Sequence, residues 1–373
     1  MDNRYFLFYP FWIALLVFPF LGLIHSLVAG LFVFAALCIS RAIRAIPLSF
    51  YGRLTPGFIA SLRMNPGVAA RGKWILLGLL LVIPAFLDNY QIDVMTMTGL
   101  YIVLALGLNI VVGFAGLLDL GYAAFYAVGA YSDALLSVHF HISFWILLIL
   151  SGLIAGIFGI LLGVITLRLK GDYLAIVTLG FIQIIHLVLN NWDTVTQGPK
   201  GIAGIAHPAI GGFAFSRPVH FYYLILLIAL LALVSIHRID RSRFGRAWSA
   251  MRDDEIAAEA MGIHTTRMKI LAFSMGSAWA GVSGAFFAGK IGFVSPESFT
   301  FFESILILSM IVLGGIGSIP GVIMGAVLLM ILPEVLRGLS DYRMLLFGSA
   351  MILMMVWRPQ GMVGRARRIA EAD

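Results

Sequence analysis

The sequence predicts an all-α fold, a polytopic transmembrane helical bundle of about 10–12 spans with both termini cytoplasmic. Three observations predict it. Hydrophobic residues make up 61% of the 373 and charged residues only 12%, about half the charged share of a soluble domain; the mean hydropathy is +1.00. The apolar residues fall in continuous runs of about 20, the length a helix needs to cross a hydrocarbon core, without the alternation of a barrel strand. Lysine and arginine, finally, gather in alternate connections between those runs.

Twelve apolar stretches follow in order, at 7–24, 26–43, 74–88, 94–113, 119–138, 142–167, 173–191, 220–237, 268–289, 301–316, 318–337 and 343–357. With the N-terminus inside, twenty basic residues lie on the inner side: Arg4, six between Arg41 and Lys73, Arg168 and Lys170, seven between Arg238 and Lys269, and four from Arg358 to Arg368. Only Lys200, Arg217, Lys290, Arg337 and Arg343 lie outside, so the opposite orientation inverts the ratio. The net charge of +7 is accounted for by this topology and by anionic lipid, with no nucleic-acid partner. The single Cys38 supplies neither a disulfide framework nor a thiolate metal site. The start of the chain reads as a span that is retained: its apolar run exceeds a signal-peptide core and lacks a cleavage site.

Residues 1–73 read as a two-span extension whose basic, proline-bearing linker (Pro47, Pro56, Pro66) lies along the inner surface; residues 74–373 form the core. Two further connections are long. The outer loop 192–219 holds WDTVTQGPKGIAG, turn-rich sequence that predicts an ordered loop, open either as the docking place of a soluble donor of substrate or as a plain exposed connection. The segment 238–267 is the one strongly charged stretch inside the hydrophobic core sequence.

That segment has local grammar. Asp253 or Asp254 caps a helix over about 254–261, Glu255 sits near its positive end, and Ile256–Met261 is rich in helix formers. Gly262 fits a left-handed position just past the helix, with Ile263 placed for the accompanying apolar contact. Phe244, Trp248 and Met251 recur at spacings of four and three. This stripe either fills a groove on another protein or seats a solvated or membrane-surface helix.

Polar residues within the spans are few: chiefly Asn109, Asp119, Asp133, Gln183, His186, Asn190 and Glu303. Such groups face a bundle interior or water, because lipid leaves them unsatisfied. Asn109, Asp119, Gln183 and Glu303 are the candidates for a translocation path. The carboxylates also read as interfacial residues, Asp119 near an inner span end and Glu303 near an outer one, or as satisfied interhelical hydrogen bonds. Gly276, Ala280, Gly284 and Ala288 are spaced by four, as are Gly317, Gly321 and Gly325, and Gly152 with Gly156; small residues at that spacing predict close helix packing.

The stretch GRAWSAMRDDEIAAEAMGI resembles the cytoplasmic coupling segment of the LivM-type permeases of high-affinity branched-chain amino-acid ABC importers. LGLNIVVGFAGLLDLGYAAFYAVGAY at 106–131, LRLKGDYLAIVTLGF at 167–181, GPKGI at 198–202, GFVSPESFTFFES at 292–304, VLGGIGSIPGVIMGA at 312–326 and WRPQGM at 357–362 are similar to that family's blocks in the same order. Lys200 departs from it, standing where a small polar residue such as asparagine is expected. The resemblance implies a bacterial inner-membrane permease that pairs with a second permease, two ABC ATPase subunits and a periplasmic solute-binding protein, and that carries a branched-chain amino acid. It implies that ATP and magnesium are held by the partner subunits, with no cofactor and no metal in this chain. It also implies that Arg246, Trp248, Met251, Arg252, Glu255, Glu259 and Gly262 form the ATPase-coupling segment, with Arg252, Glu255 and Glu259 as polar contacts and Trp248 and Met251 as apolar anchors.

The residues exclude several other classes. GAFFAGKI at 284–291 matches the spacing of a phosphate-binding loop, but Ile291 stands where serine or threonine would hold magnesium, and no strand precedes it. No grouped nucleophile, base or metal ligands support an intramembrane enzyme. An ion-coupled secondary transporter remains the competing class, with the glycine-rich runs 113–121 and 314–321 as candidate helix breaks. Within the permease class, urea, short amides or other amino acids are the alternative substrates.

Overall fold

The structure, a computed structural model, describes residues 80–335 apart from 168, 170, 211, 212 and 216, together with positions 78, 348, 352, 361 and 362. The two-span extension 1–73, residues 74–77 and 79 of the expected span 74–88, and all but two residues of the expected last span 343–357 lie outside the described residues; the described part of 74–88 holds a short 3-10 turn, Ile83–Ala85. The chain divides into two compact units, Met1–Val82 and Ile83–Asp373, and the helices named below belong to the second.

Each of the eight apolar stretches from 94–113 to 318–337 forms one helix. These are α1 (Asn89–Leu108), α2 (Tyr122–Phe140), α3 (Phe144–Ile165), α4 (Asp172–Asn191), α5 (Pro218–Asp240), α8 (Thr265–Ile291), α9 (Phe301–Gly314) and α10 (Ile319–Val335). Two short helices, α6 (Arg243–Asp253) and α7 (Glu255–Ala260), lie between α5 and α8. Six segments among the described residues, Asn89–Phe114, Phe144–Ile165, Asp172–Asn191, Pro218–Asp240, Thr265–Ile291 and Pro296–Gly314, are long and apolar enough to cross a membrane. This is a polytopic helical membrane protein.

Helix α1 runs through the middle of the bundle. Leu104, Ala105, Leu106 and Leu108 are all fully buried, as expected of a helix that is apolar all round. It continues without interruption into a π-helical turn, Asn109–Phe114, where Ala115 N–H reaches back to the Ile110 carbonyl. Helix α8 packs against α2 and α3 through small residues. A Cβ on Gly284 would stand 2.3 Å from the Tyr126 carbonyl oxygen, and one on Gly276 would stand 2.7 Å from Val111 and 3.0 Å from the Gly107 carbonyl oxygen. Backbones meet at these crossings, where dispersion and close fit replace the hydrophobic drive that lipid does not provide.

Gly321 and Gly325 do the same between α9 and α10, where a Cβ would stand 2.3 Å from the Gly314 carbonyl oxygen and 2.1 Å from that of Met310. Gly317, grouped with them by spacing, does not belong with them. It lies in the turn before α10 with φ +83, a left-handed backbone that ends the helical register on which the spacing argument depended.

The outward faces of α3 and α5 are aliphatic, with Ile149, Leu153, Ile157, Leu227 and Leu231 exposed as lipid-facing residues would be. At one end of the bundle, β1 (Ile202–Ala203) pairs antiparallel with β4 (Phe293–Val294), and β2 (Ala209–Ile210) pairs with β3 (Phe213–Ala214). Within the connection 192–219 the Trp145 indole N–H donates to the Ala209 carbonyl at 3.0 Å, tying that part of the loop to α3. The α6–α7 segment lies at the opposite end, because α5 runs between the two.

Candidate functional site

The charged segment folds as its local signals require. Ser242 caps α6 by accepting from Phe244 N–H at 3.1 Å. The chain then becomes extended at Asp254, whose carboxylate accepts from the N–H groups of Ile256 and Ala257 at 2.9 and 3.1 Å and so starts α7. At the other end Gly262 takes φ +83, its N–H bonds the Glu259 carbonyl, and Ile263 N–H bonds that of Ala258. Those two bonds are the Schellman pairing, which needs a left-handed residue between them.

The side chains are disposed differently from the expectation. Trp248 is fully buried and its indole N–H donates to the Met268 carbonyl of α8 at 2.8 Å; Met251 is buried as well. The apolar stripe is therefore spent inside the chain, and Trp248 and Met251 are not outward anchors. Packing against α8 covers the Trp248 ring and satisfies its indole N–H. Glu255 also turns inward, pairing with the buried Lys269 of α8 at 2.7 Å. Arg252 donates to the Gly113 carbonyl of the π-turn. A cavity of about 100 Å³ opens between these contacts, lined by Gly116, Leu117, Leu174, Arg252, Glu255 and Lys269 among others. What faces outward is Ile256, 74% exposed, and Met261, 84% exposed, with exposed Arg246 and Glu259 nearby.

The four expected path residues do not form one cluster. Asn109 is fully buried; its side-chain oxygen accepts from Gly317 N–H at 3.0 Å, joining the π-turn to the turn between α9 and α10. Its amide nitrogen has no partner among the described residues. Asp119 is also fully buried within the chain and accepts from Gly121 N–H at 2.8 Å. With the Thr178 hydroxyl on Leu120 N–H and the Ser304 hydroxyl on Ala123 N–H, it completes a cap for α2 drawn from three elements. A helix that starts inside a bundle leaves its first amides without water, and these side chains take its place.

Glu303 accepts from the Tyr101 hydroxyl at 2.8 Å. Tyr101 lies halfway along Asn89–Phe114, and Glu303 lies in the first turn of α9, near the end of its own helix as expected. Gln183, in the middle of α4, is exposed on this chain's surface. Sequence reasoning missed Arg252's inward contact, Lys269 and Tyr101. The one available signal was a basic residue, Lys269, placed inside an apolar run, which calls for a partner.

The candidate phosphate loop is helical throughout. Its residues 284–291 close α8, and Lys290 pairs with Asp93 at 2.7 Å. No group of three or more potential metal ligands occurs among the described residues.

Comparison with known proteins places this arrangement. The family described as "Branched-chain amino acid transport system / permease component" matches residues 90–355, from the start of α1 past the end of α10. The chain belongs to that family. Among its relatives, the "High-affinity branched-chain amino acid transport system permease protein LivM" of Salmonella typhimurium is 45% identical, covering 81% of this chain and 77% of the relative. The protein of the same name from Escherichia coli is 44% identical with the same coverage. A "Probable branched-chain amino acid transport permease protein LivM" of Methanocaldococcus jannaschii is 27% identical over 71% of this chain and 90% of its own. No solved structure matches. As a member of this permease family the chain is a transport component and not a catalytic enzyme.

Proposed function

We propose that this chain is the permease subunit of an ATP-driven importer that moves leucine, isoleucine and valine across a bacterial inner membrane. Family membership along most of the chain carries the reading. The names of the relatives support the substrate class. The excess of Lys and Arg on the α6–α7 side supports placing that end in the cytoplasm. A second permease completes the conduit, with Gln183 facing it or the path, since a mid-helix amide is poorly accommodated by lipid. The 192–219 loop, tied to α3 through Trp145, receives a periplasmic solute-binding protein. Residues 1–73 add a two-span extension to this core.

Two ATPase subunits bind from the cytoplasm and hold the ATP and magnesium. Large apolar side chains in water argue for a covering partner, and Ile256 and Met261 are the two on the α7 surface. They replace Trp248 and Met251 as anchors, with Glu259 and Arg246 as the polar rim. The test is reconstitution in proteoliposomes with candidate ATPase, second-permease and binding-protein subunits, measuring ATP-dependent leucine uptake against isoleucine, valine, urea and short amides. Uptake competed only by the branched-chain amino acids is expected. Competition by urea or amides with none by isoleucine would reassign the substrate.

A further inference from the structure

The segment that meets the ATPase is fastened to the bundle at a place where the bundle is already interrupted. A π-turn pairs each N–H five residues back, a geometry found mostly at functional interruptions of α-helices; here Ala115 reaches Ile110, and Leu117 N–H then reaches Val111 as the chain leaves the helix. The Gly113 carbonyl in that turn receives the Arg252 guanidinium from the last turn of α6. Gly116, with φ +72, lies against the same side chain: a Cβ there would stand 2.5 Å from Arg252 Cγ. On the far side of the turn, Asn109 accepts from Gly317 N–H at 3.0 Å. The contacts thus run without a gap from α6 through Arg252 to the π-turn, and through Asn109 to the α9–α10 turn.

We propose that Arg252 is a positioning residue that carries displacement of the α6–α7 segment into the π-turn, and through Asn109 into the α9–α10 turn. The proposal rests on the reading that α6–α7 takes up ATPase motion. It goes further by naming which interruption moves. Glu255–Lys269 holds α7 to α8 and the Trp248–Met268 bond holds α6 to it, whereas Arg252 carries the segment's contact to the π-turn. The cavity between Arg252 and the Glu255–Lys269 pair leaves room for movement without overpacking. Packed elements switch between discrete arrangements, so a hydrogen bond at such a joint biases a switch.

The experiment reconstitutes the complete transporter with wild type, Arg252→Ala, Arg252→Lys and Gly116→Ala. It records leucine taken up per ATP hydrolysed, together with the amount of ATPase subunit retained on purification. Arg252→Ala is expected to lower uptake per ATP by about tenfold with ATPase retention unchanged. Arg252→Lys should restore most of it, because an ammonium still donates to a carbonyl. Gly116→Ala should lower uptake per ATP as well, by crowding the arginine. Uptake per ATP unchanged in Arg252→Ala would overturn the proposal. So would parallel loss of uptake, hydrolysis and ATPase retention that Arg252→Lys does not rescue, since that marks a structural role. A wild-type complex that hydrolyses ATP without moving leucine would overturn the functional reading, and this proposal with it.

Discussion

The Trp248 indole joins α6 to α8 by a fully buried ring and one hydrogen bond to the Met268 carbonyl. Trp248→Phe keeps most of the ring contact and loses the donor, a cost of about 1 kcal/mol; Trp248→Ala empties the site and costs roughly 3–5 kcal/mol. Thermal unfolding of the detergent-solubilised protein should rank them in that order. Glycines give a sharper contrast. Gly284→Ala drives a methyl against the Tyr126 carbonyl and is expected to destabilise by about 1–3 kcal/mol. Gly180→Ala, where nothing lies within 4 Å of the new methyl, should be neutral or stabilising in the same melt. The spacing of Gly276, Gly284, Gly321 and Gly325 made their packing role legible in the sequence, because a helical period maps directly onto a face. Which way Trp248, Arg252 and Glu255 turn was not legible. Each answer depends on a neighbour distant in the chain: Met268, Gly113 or Lys269.

Helix α7 owes its ends to its own residues. Asp254 holds two amides at its start and Gly262 permits the left-handed exit, both visible from local sequence alone. Asp254→Ala removes the cap at a cost of about 1 kcal/mol, which should speed hydrogen exchange at Ile256 and Ala257 by about fivefold. Helix α2 is the opposite case. Its first amides are held by Asp119, Thr178 and Ser304, from a loop, α4 and α9. No pattern around Tyr122 announces that the helix begins inside the bundle or that Asp119 caps it. The eight long helices were legible because length and hydropathy are properties of a segment; the capping of α2 was not, because it is a property of three segments meeting. The outward residues of α7 carry a prediction of their own. Replacing Ile256 and Met261 together with aspartate should abolish co-purification of the ATPase subunits while membrane insertion remains normal, since neither side chain is packed within the chain.

The described helices of Ile83–Asp373 form a transport component with two differently built ends. One carries small β-pairings, the other a capped helix with exposed apolar side chains. Between them, α1 ends in a π-turn that Arg252 and Asn109 connect to the charged segment and to the α9–α10 turn. Such a body moves solute only when something at the charged end moves it, which is the central claim. The most direct test compares leucine uptake into proteoliposomes holding the permeases and binding protein, with and without the ATPase subunits and ATP. The account predicts accumulation only when ATPase and ATP are both present. Accumulation driven by a proton or sodium gradient in their absence would contradict it.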